Sequence, residues 1–328
     1  MVMAMTETAA RVRRRHLRIA GLIQLCPPSI WLIAGLVVVS LALAPALLSP
    51  GFQWVILRQS APLGFAICAQ LLLMRCNSID LSLGGVFLLT NYLTTSSLLS
   101  QMNPVLVVAV PLLAGMLIGA VNGFFIAVRR ASSVVVTLAM GTILTGLVLY
   151  LSSGNPPGSA HSAVVWLGRD RVAGVPVAVM VWLGAMIVLA LALRGLVYGR
   201  MVRAIGANPT AALISGLPVV RTFFISHVLA GLFAATGGLL QAGYIGMGSV
   251  RLGFDVVMVS IAGAILGGVT FGGGRRSILG AVCAAYALIF LINLMTTLRF
   301  AEPSKLIVQG LVIALAALFP NLSSRNRE

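Results

Sequence analysis

The run PVLVVAVPLLAGMLIGAVNGFFIAV, residues 104–128, is 25 residues long without a charge, and Arg129 and Arg130 follow it directly. As a helix it would rise about 37 Å, enough to cross a hydrocarbon core of roughly 30 Å. Its apolar residues do not alternate with polar ones, so it does not read as a barrel strand of about 10 residues. In lipid a segment must satisfy its own backbone groups, and a helix does that.

The same pattern extends in both directions. Spans are expected near residues 29–48, 54–74, 83–100, 104–128, 133–151, 175–194, 220–242, 254–271, 278–297 and 304–320. Hydrophobic residues make up 59% of the 328, charged residues only 9%, and the mean hydropathy is +1.07. Soluble domains carry about 25% charged residues. The expected fold class is all-α: a polytopic transmembrane helical bundle of about ten spans. A basic tail over 1–28 precedes a single membrane domain over 29–320, and a short tail over 321–328 follows. Residues 11–18 resemble the basic start of a signal peptide, but Pro27-Pro28 leads into a full span with no cleavage site nearby. The expectation is an uncleaved cytoplasmic tail.

The chain holds 22 basic residues against six acidic ones. The arginines sit in short loops between apolar runs, so they read as orientation charge rather than a nucleic-acid face. With ten spans and both termini cytoplasmic, sixteen basic residues fall inside, among them Arg75, Arg129, Arg130, Arg194, Arg200, Arg203 and Arg221. Six fall outside: Arg58, Arg169, Arg171, Arg251, Arg299 and Lys305. Cys26, Cys68, Cys76 and Cys283 form no C-x-x-C pair and read as small membrane residues. No metal and no cofactor is expected.

An ATPase needs a P-loop, G-x-x-x-x-G-K followed by Ser or Thr. The one lysine is Lys305, followed by Leu306, and no glycine frame precedes it. The chain is therefore not expected to hydrolyse ATP. An ion-driven carrier would bury acids or histidines along its path, and only Asp80, Asp255 and His227 are placed to serve.

Five features carry the functional reading. Asp80 lies in Asn77-Ser78-Ile79-Asp80-Leu81-Ser82-Leu83-Gly84-Gly85, which interrupts a long apolar stretch. Asp80 or Ser82 reads either as the N-cap of the next span or as part of a re-entrant element lining a pathway. Asn122 and Thr137 are lone polar groups on apolar spans, suited to interhelical hydrogen bonds or to pore lining. Gly115, Gly119 and Gly123 recur at four-residue spacing and predict a smooth packing face. The loop over 198–216 is basic and bounded by glycines. In it Asn208 caps and Pro209 opens a helix of about two turns that ends at Gly216. So short a helix needs something packed upon it: lipid, or a groove on a soluble subunit. Gly267-Gly268 through Gly272-Gly273-Gly274-Arg275-Arg276 predicts a tight turn between spans rather than a phosphate cradle. A faint echo links 137–146 with 260–268, small-residue segments that cross in opposite directions.

Three of these segments resemble the permease subunits of bacterial ribose, xylose and arabinose ABC importers. Ile79-Asp80-Leu81-Ser82-Leu83-Gly84 is similar to the family's "IDLSVG". Ala204 through Gly216 is similar to its "AIGGNxxAAxxSGI" coupling segment. Gly267 through Arg275 is similar to its "GGxSxxGGxG" turn. Asn122-Gly123 and Thr137-Leu138 fall where the family has "NG" and "ATL". The likeness covers about residues 50–320, with departures at Arg276 and Leu217-Pro218. It implies a multi-pass protein of the bacterial inner membrane. Its partners would be cytoplasmic ATP-binding subunits, a periplasmic sugar-binding protein and a second permease, identical or not. Gly206, Asn208, Ala211, Ala212 and Gly216 would then couple to the ATPase, and Asn77, Asp80, Ser82, Asn122 and Thr137 would belong to the pathway. Gly267, Gly268, Gly273, Gly274 and Arg275 would build the structural turn. The competing readings are an ion-coupled secondary transporter and a membrane scaffold without transport.

Overall fold

Proline opens several of the helices, where its missing N–H costs nothing. In the computed structural model, which describes residues 27–100, 102–250, 253–269 and 278–324, α1 (Pro28–Leu43), α2 (Pro50–Met74) and α4 (Pro104–Gly123) all begin on proline. Asn103 adds a side-chain cap to α4, its carbonyl accepting from Val105 N at 2.9 Å. A π-helical turn, Phe124–Val128, carries α4 on to the arginine pair. The remaining helices of six residues or more are α3 (Leu83–Thr95), α5 (Ser133–Ser152), α6 (Ser162–Arg169), α7 (Val177–Gly195), α8 (Val197–Ala207), α9 (Pro209–Ile214), α10 (Val219–Ile245), α11 (Phe254–Leu266), α12 (Ile278–Thr297) and α13 (Glu302–Ser324). A two-residue hairpin, β1 (Arg171–Val172) with β2 (Val175–Pro176), is the one sheet among the described residues.

Every segment expected to span holds a helix, but three are short: α1 with 16 residues, and α3 and α11 with 13 each. Among the described residues six are long and apolar enough to cross a membrane: α2, α4 with its π turn, α5, α7, α10 and α12. The third and eighth expected spans, 83–100 and 254–271, contain α3 and α11, each of 13 residues. A helix of that length rises about 20 Å and crosses no bilayer alone. Irregular backbone precedes each, over 75–82 before α3 and over 246–250 on the approach to α11. The two breaks meet: a Cβ on Gly84 would lie 2.3 Å from the Gly253 carbonyl oxygen, and Gly253 holds φ at +137°.

The element lengths repeat. Helices α2 to α5 have 25, 13, 20 and 20 residues, and α10 to α13 have 27, 13, 20 and 23. The two halves run in opposite senses. Gln59 near the start of α2 bonds Tyr244 near the end of α10, while Cys76 just beyond α2 meets Ser226 early in α10. Ser78-Ile-Asp-Leu-Ser-Leu83 enters α3 as Ser249-Val-Arg-Leu-Gly-Phe254 enters α11. This pairing matches α11 to α3. The echo between 137–146 and 260–268 instead sets α11 against α5, so it is a recurrence of small residues and not the repeat.

Helix α10 is the hub, packed on α4, α2, α3 and α6. The expected glycine face exists: a Cβ on Gly119 would fall 2.2 Å from the His227 carbonyl, and one on Gly231 2.1 Å from the Gly115 carbonyl. Helix α2 is largely buried, whereas α5 exposes most of its surface, including Val135, Ile143 and Tyr150. In water that surface would be untenable; in lipid it is at home.

Candidate functional site

Four of the five residues expected along a pathway come together at one end of the bundle. Met74 ends α2, Asn77 turns the chain at φ 59°, and residues 78–82 lead into α3. Asp80 is buried, and its Oδ1 accepts from Ser82 N at 2.7 Å and from the Ser82 hydroxyl at 2.5 Å. Asn122, near the end of α4, donates to Ser82 Oγ at 2.9 Å. Thr137, in the first turns of α5, accepts from Leu81 N at 2.9 Å. Gly141 makes room on α5, since a Cβ there would lie 3.2 Å from the Leu81 carbonyl.

The capping reading of this segment needs correction. No side chain caps α3. Asp80 is satisfied by the backbone and hydroxyl of Ser82 two residues on, an Asx-type turn that pins the entry to α3 instead of its first amides. The alternatives for Asn122 and Thr137 narrow as well, because both hold the 77–82 element from neighbouring helices.

Sequence reasoning gave His227 no partner. It lies buried on α10, where Nδ1–H donates to the Phe223 carbonyl at 2.9 Å. In the neutral ring Nε2 is then free to accept from the Ser78 hydroxyl, 3.2 Å away. Residues from α4, α5 and α10 thus converge on six residues of chain. Asn122 Oδ1 stays a buried acceptor without a protein partner. Such a network is worth most when complete, since each buried group left unpaired costs about 1–3 kcal/mol.

Asn77 connects this element to the second candidate region. Its Nδ2 donates to the Gly206 carbonyl on α8 at 3.3 Å. Helix α8 is tied to α10 through Tyr198, whose hydroxyl meets Ser226 Oγ at 2.7 Å, and to α7 through Arg203, which bonds the Leu193 carbonyl at 2.7 Å. Helix α9 forms as its residues demand: Asn208 Oδ1 accepts from Ala211 N at 2.9 Å, and Gly216 at φ 77° ends it with Leu217 N bonded back to the Ala212 carbonyl. Ala211 is exposed and Ala212 is buried against the bundle, so only the first stands on the free face. Leu213 and Ile214 are exposed beside it, Ile214 to 83%. Exposed apolar residues on a six-residue helix are a signal that reading the glycine frame alone does not reveal.

In the glycine turn, Gly267 packs on Gly280, where a Cβ would come within 2.2 Å of the Gly267 carbonyl, and Gly268 holds φ at 85°. Gly273, Gly274 and Arg275 lie outside the described residues. No cluster of His, Cys, Asp or Glu among the described residues could hold a metal ion.

Known proteins similar to this chain are transport permeases. Residues 54–317 match the family described as the permease component of the branched-chain amino acid transport system. The chain is 29% identical to the ribose import permease protein of Bacillus subtilis strain 168, over 96% of its own length and 98% of that protein. It is 31% identical to the ribose import permease protein of Escherichia coli K12, covering 88% and 92%, and 30% identical to the L-arabinose transport system permease protein of the same strain, covering 78% of each. No solved structure matches it.

Proposed function

The chain belongs to the permease-component family of the branched-chain amino acid transport system, and from that premise we propose that it is the membrane-spanning subunit of an ATP-driven monosaccharide importer. The named relatives act on ribose and L-arabinose, which points to a pentose or a similar neutral sugar. One observation carries the mechanism: the Asn77–Gly206 bond joins the coupling segment to the buried element around Asp80. A push on α8 and α9 reaches the start of α3 through that contact and through the Tyr198–Ser226 pair.

The chain offers two packings of its helices, and closure of separate ATPase subunits selects one of them. Ala211, with Gly206, Asn208 and Gly216 shaping the helix around it, presents the docking face over 198–216, and Ala212 seats that helix on the bundle. Asn77, Asp80, Ser82, Asn122 and Thr137 set the inner end of the pathway. Gly267 and Gly268 begin the turn before α12.

The bundle crosses the inner membrane ten times, with both termini cytoplasmic. Helices α3 and α11 each complete a crossing with the irregular chain before them. The partners are two cytoplasmic ATP-binding subunits, a periplasmic sugar-binding protein and a second permease. Nucleic acid is not among them. An ion-coupled carrier is the weaker reading, because the relatives are permeases of import systems and the buried Asp80 is engaged by its own chain.

The test is reconstitution in proteoliposomes with the ATPase and the binding protein. Uptake of a labelled pentose should require ATP and all three components, and the chain alone should hydrolyse none. Uptake driven by an ion gradient without the ATPase would overturn the proposal.

A further inference from the structure

The outer half of α3 carries a row of polar residues that the inner site does not use. Thr90, Asn91, Thr94 and Thr95 are all buried, and none is charged. Most membrane helices here bury aliphatic residues; this one buries an amide and three hydroxyls.

Two stretches of main chain close over that row. Arg169 caps the end of α10, donating to the Tyr244 carbonyl at 2.9 Å and to the Ile245 carbonyl at 2.6 Å. Gly246, at φ 80°, then turns the chain back along α3. Residues 246–249 pair with 157–160: Ser159 bridges Met247, Gly248 N donates to the Gly158 carbonyl at 2.7 Å, and Ala160 N donates to the Gly246 carbonyl at 3.0 Å. The covering lies directly on the end of α3. A Cβ on Gly158 would lie 2.9 Å from the Thr95 carbonyl, and one on Gly248 2.8 Å from Thr95 Oγ1.

One side chain from the row holds the cover. Asn91 Oδ1 accepts from Ser249 N at 2.8 Å, and Nδ2 reaches the Met247 carbonyl at 3.5 Å. The second bond is long, and an amide offers the same donor and acceptor to a sugar hydroxyl pair as to a peptide. Glycines at 246, 248 and 253 leave the stretch free to swing.

We propose that residues 157–160 and 246–249 form the outer barrier of the pathway, and that Asn91 is both its latch and the first side chain to bind the incoming sugar. Opening moves 246–249 off α3, and the hydroxyls of a neutral polyol take over the two bonds that Asn91 gives up. The uncharged amide and threonines select for such a solute over an anion or a cation. This rests on the importer reading.

The test locks the barrier. Ser159 and Met247 face each other across an antiparallel bridge, where paired Cα atoms lie about 4.5–5.5 Å apart, within reach of a disulfide. In the assembled importer, Ser159→Cys with Met247→Cys should transport normally when reduced, lose at least about ten-fold of its uptake when oxidised, and recover with reductant. Quantitative cross-linking with full uptake would overturn the barrier. A second variant guards against misfolding: Thr95→Cys should react slowly with a membrane-impermeant thiosulfonate, and about ten-fold faster once Asn91→Ala is added. Equal rates would overturn the latch. Absence of ATP-dependent uptake by the unsubstituted complex would instead sink the importer reading, so the two failures are distinct.

Discussion

The two ends of α3 are closed by different means. The inner end is held by side chains: Asp80, Ser82, Asn122, Thr137 and His227 reach the same short segment from three other helices and from its own turn. The outer end is held by main chain, with Asn91 the one side-chain latch described. A side-chain lock depends on residue identity at each position, because removing one member orphans the rest. A backbone lock depends on small residues and correct φ angles and otherwise tolerates change. Substitutions of equal size should therefore hurt far more at the inner end.

The sharpest way to break that comparison is Asp80→Leu. It removes the acceptor of two bonds and leaves the Ser82 hydroxyl and amide to find others, at about 2–6 kcal/mol for two groups. Uptake should fall at least about 100-fold while the protein still inserts and is recovered from the membrane. Wild-type uptake would show that the inner lock does not matter.

Next in size is Ala211→Glu, on the free face of α9. A charge trapped at a protein contact costs about 3–5 kcal/mol. Co-purification of the ATPase and uptake should be lost together, with membrane insertion unchanged. If uptake vanished while the ATPase stayed bound, α9 would have to be assigned a gating role.

Asn77→Ala should act more mildly. It deletes one part-buried bond to Gly206, worth about 1 kcal/mol, and forces alanine to φ 59° at a cost of about 1–2 kcal/mol. Uptake should drop about five-fold or more. Asn77→Gly separates the two effects: if the bond transmits the coupling, glycine restores the fold but not the rate. Full rescue by glycine would reduce Asn77 to a turn residue.

The smallest effect is expected at Met247→Ala. Its side chain is exposed and its contributions to the barrier are backbone groups, so uptake should stay within about two-fold. A large loss there would mean that the outer end, too, is read through side chains. Reporter fusions at residue 160 and residue 207 fix the frame for all four, the first reporting outside and the second inside. The same side for both would invert or abolish the assignment of inner and outer.

This contrast explains what the sequence disclosed. The inner site was legible because Asp80, Asn122 and Thr137 are polar exceptions in apolar runs, and a polar group in lipid must find a partner. The capping role failed because Asp80 and Ser82 satisfy each other before α3 begins. The half-length of α3 and α11 was hidden because apolar residues continue past both helices, through Leu98-Leu99 in a separate four-residue helical turn and through Val269. The outer barrier was invisible for a plainer reason: Gly246, Met247 and Gly248 carry no pattern that separates a barrier from a loop. Only the folded chain shows them lying on Asn91.

The glycine contact between α4 and α10 has a consequence for movement. Where Gly119 rests on the His227 carbonyl and Gly231 on the Gly115 carbonyl, the approach is close enough for Cα–H groups to face carbonyl oxygens across the seam, and backbone against backbone leaves little room for the helices to slide. The pair behaves as a keel. The half-helices α3 and α11, each preceded by broken chain, are then the parts best placed to move against it.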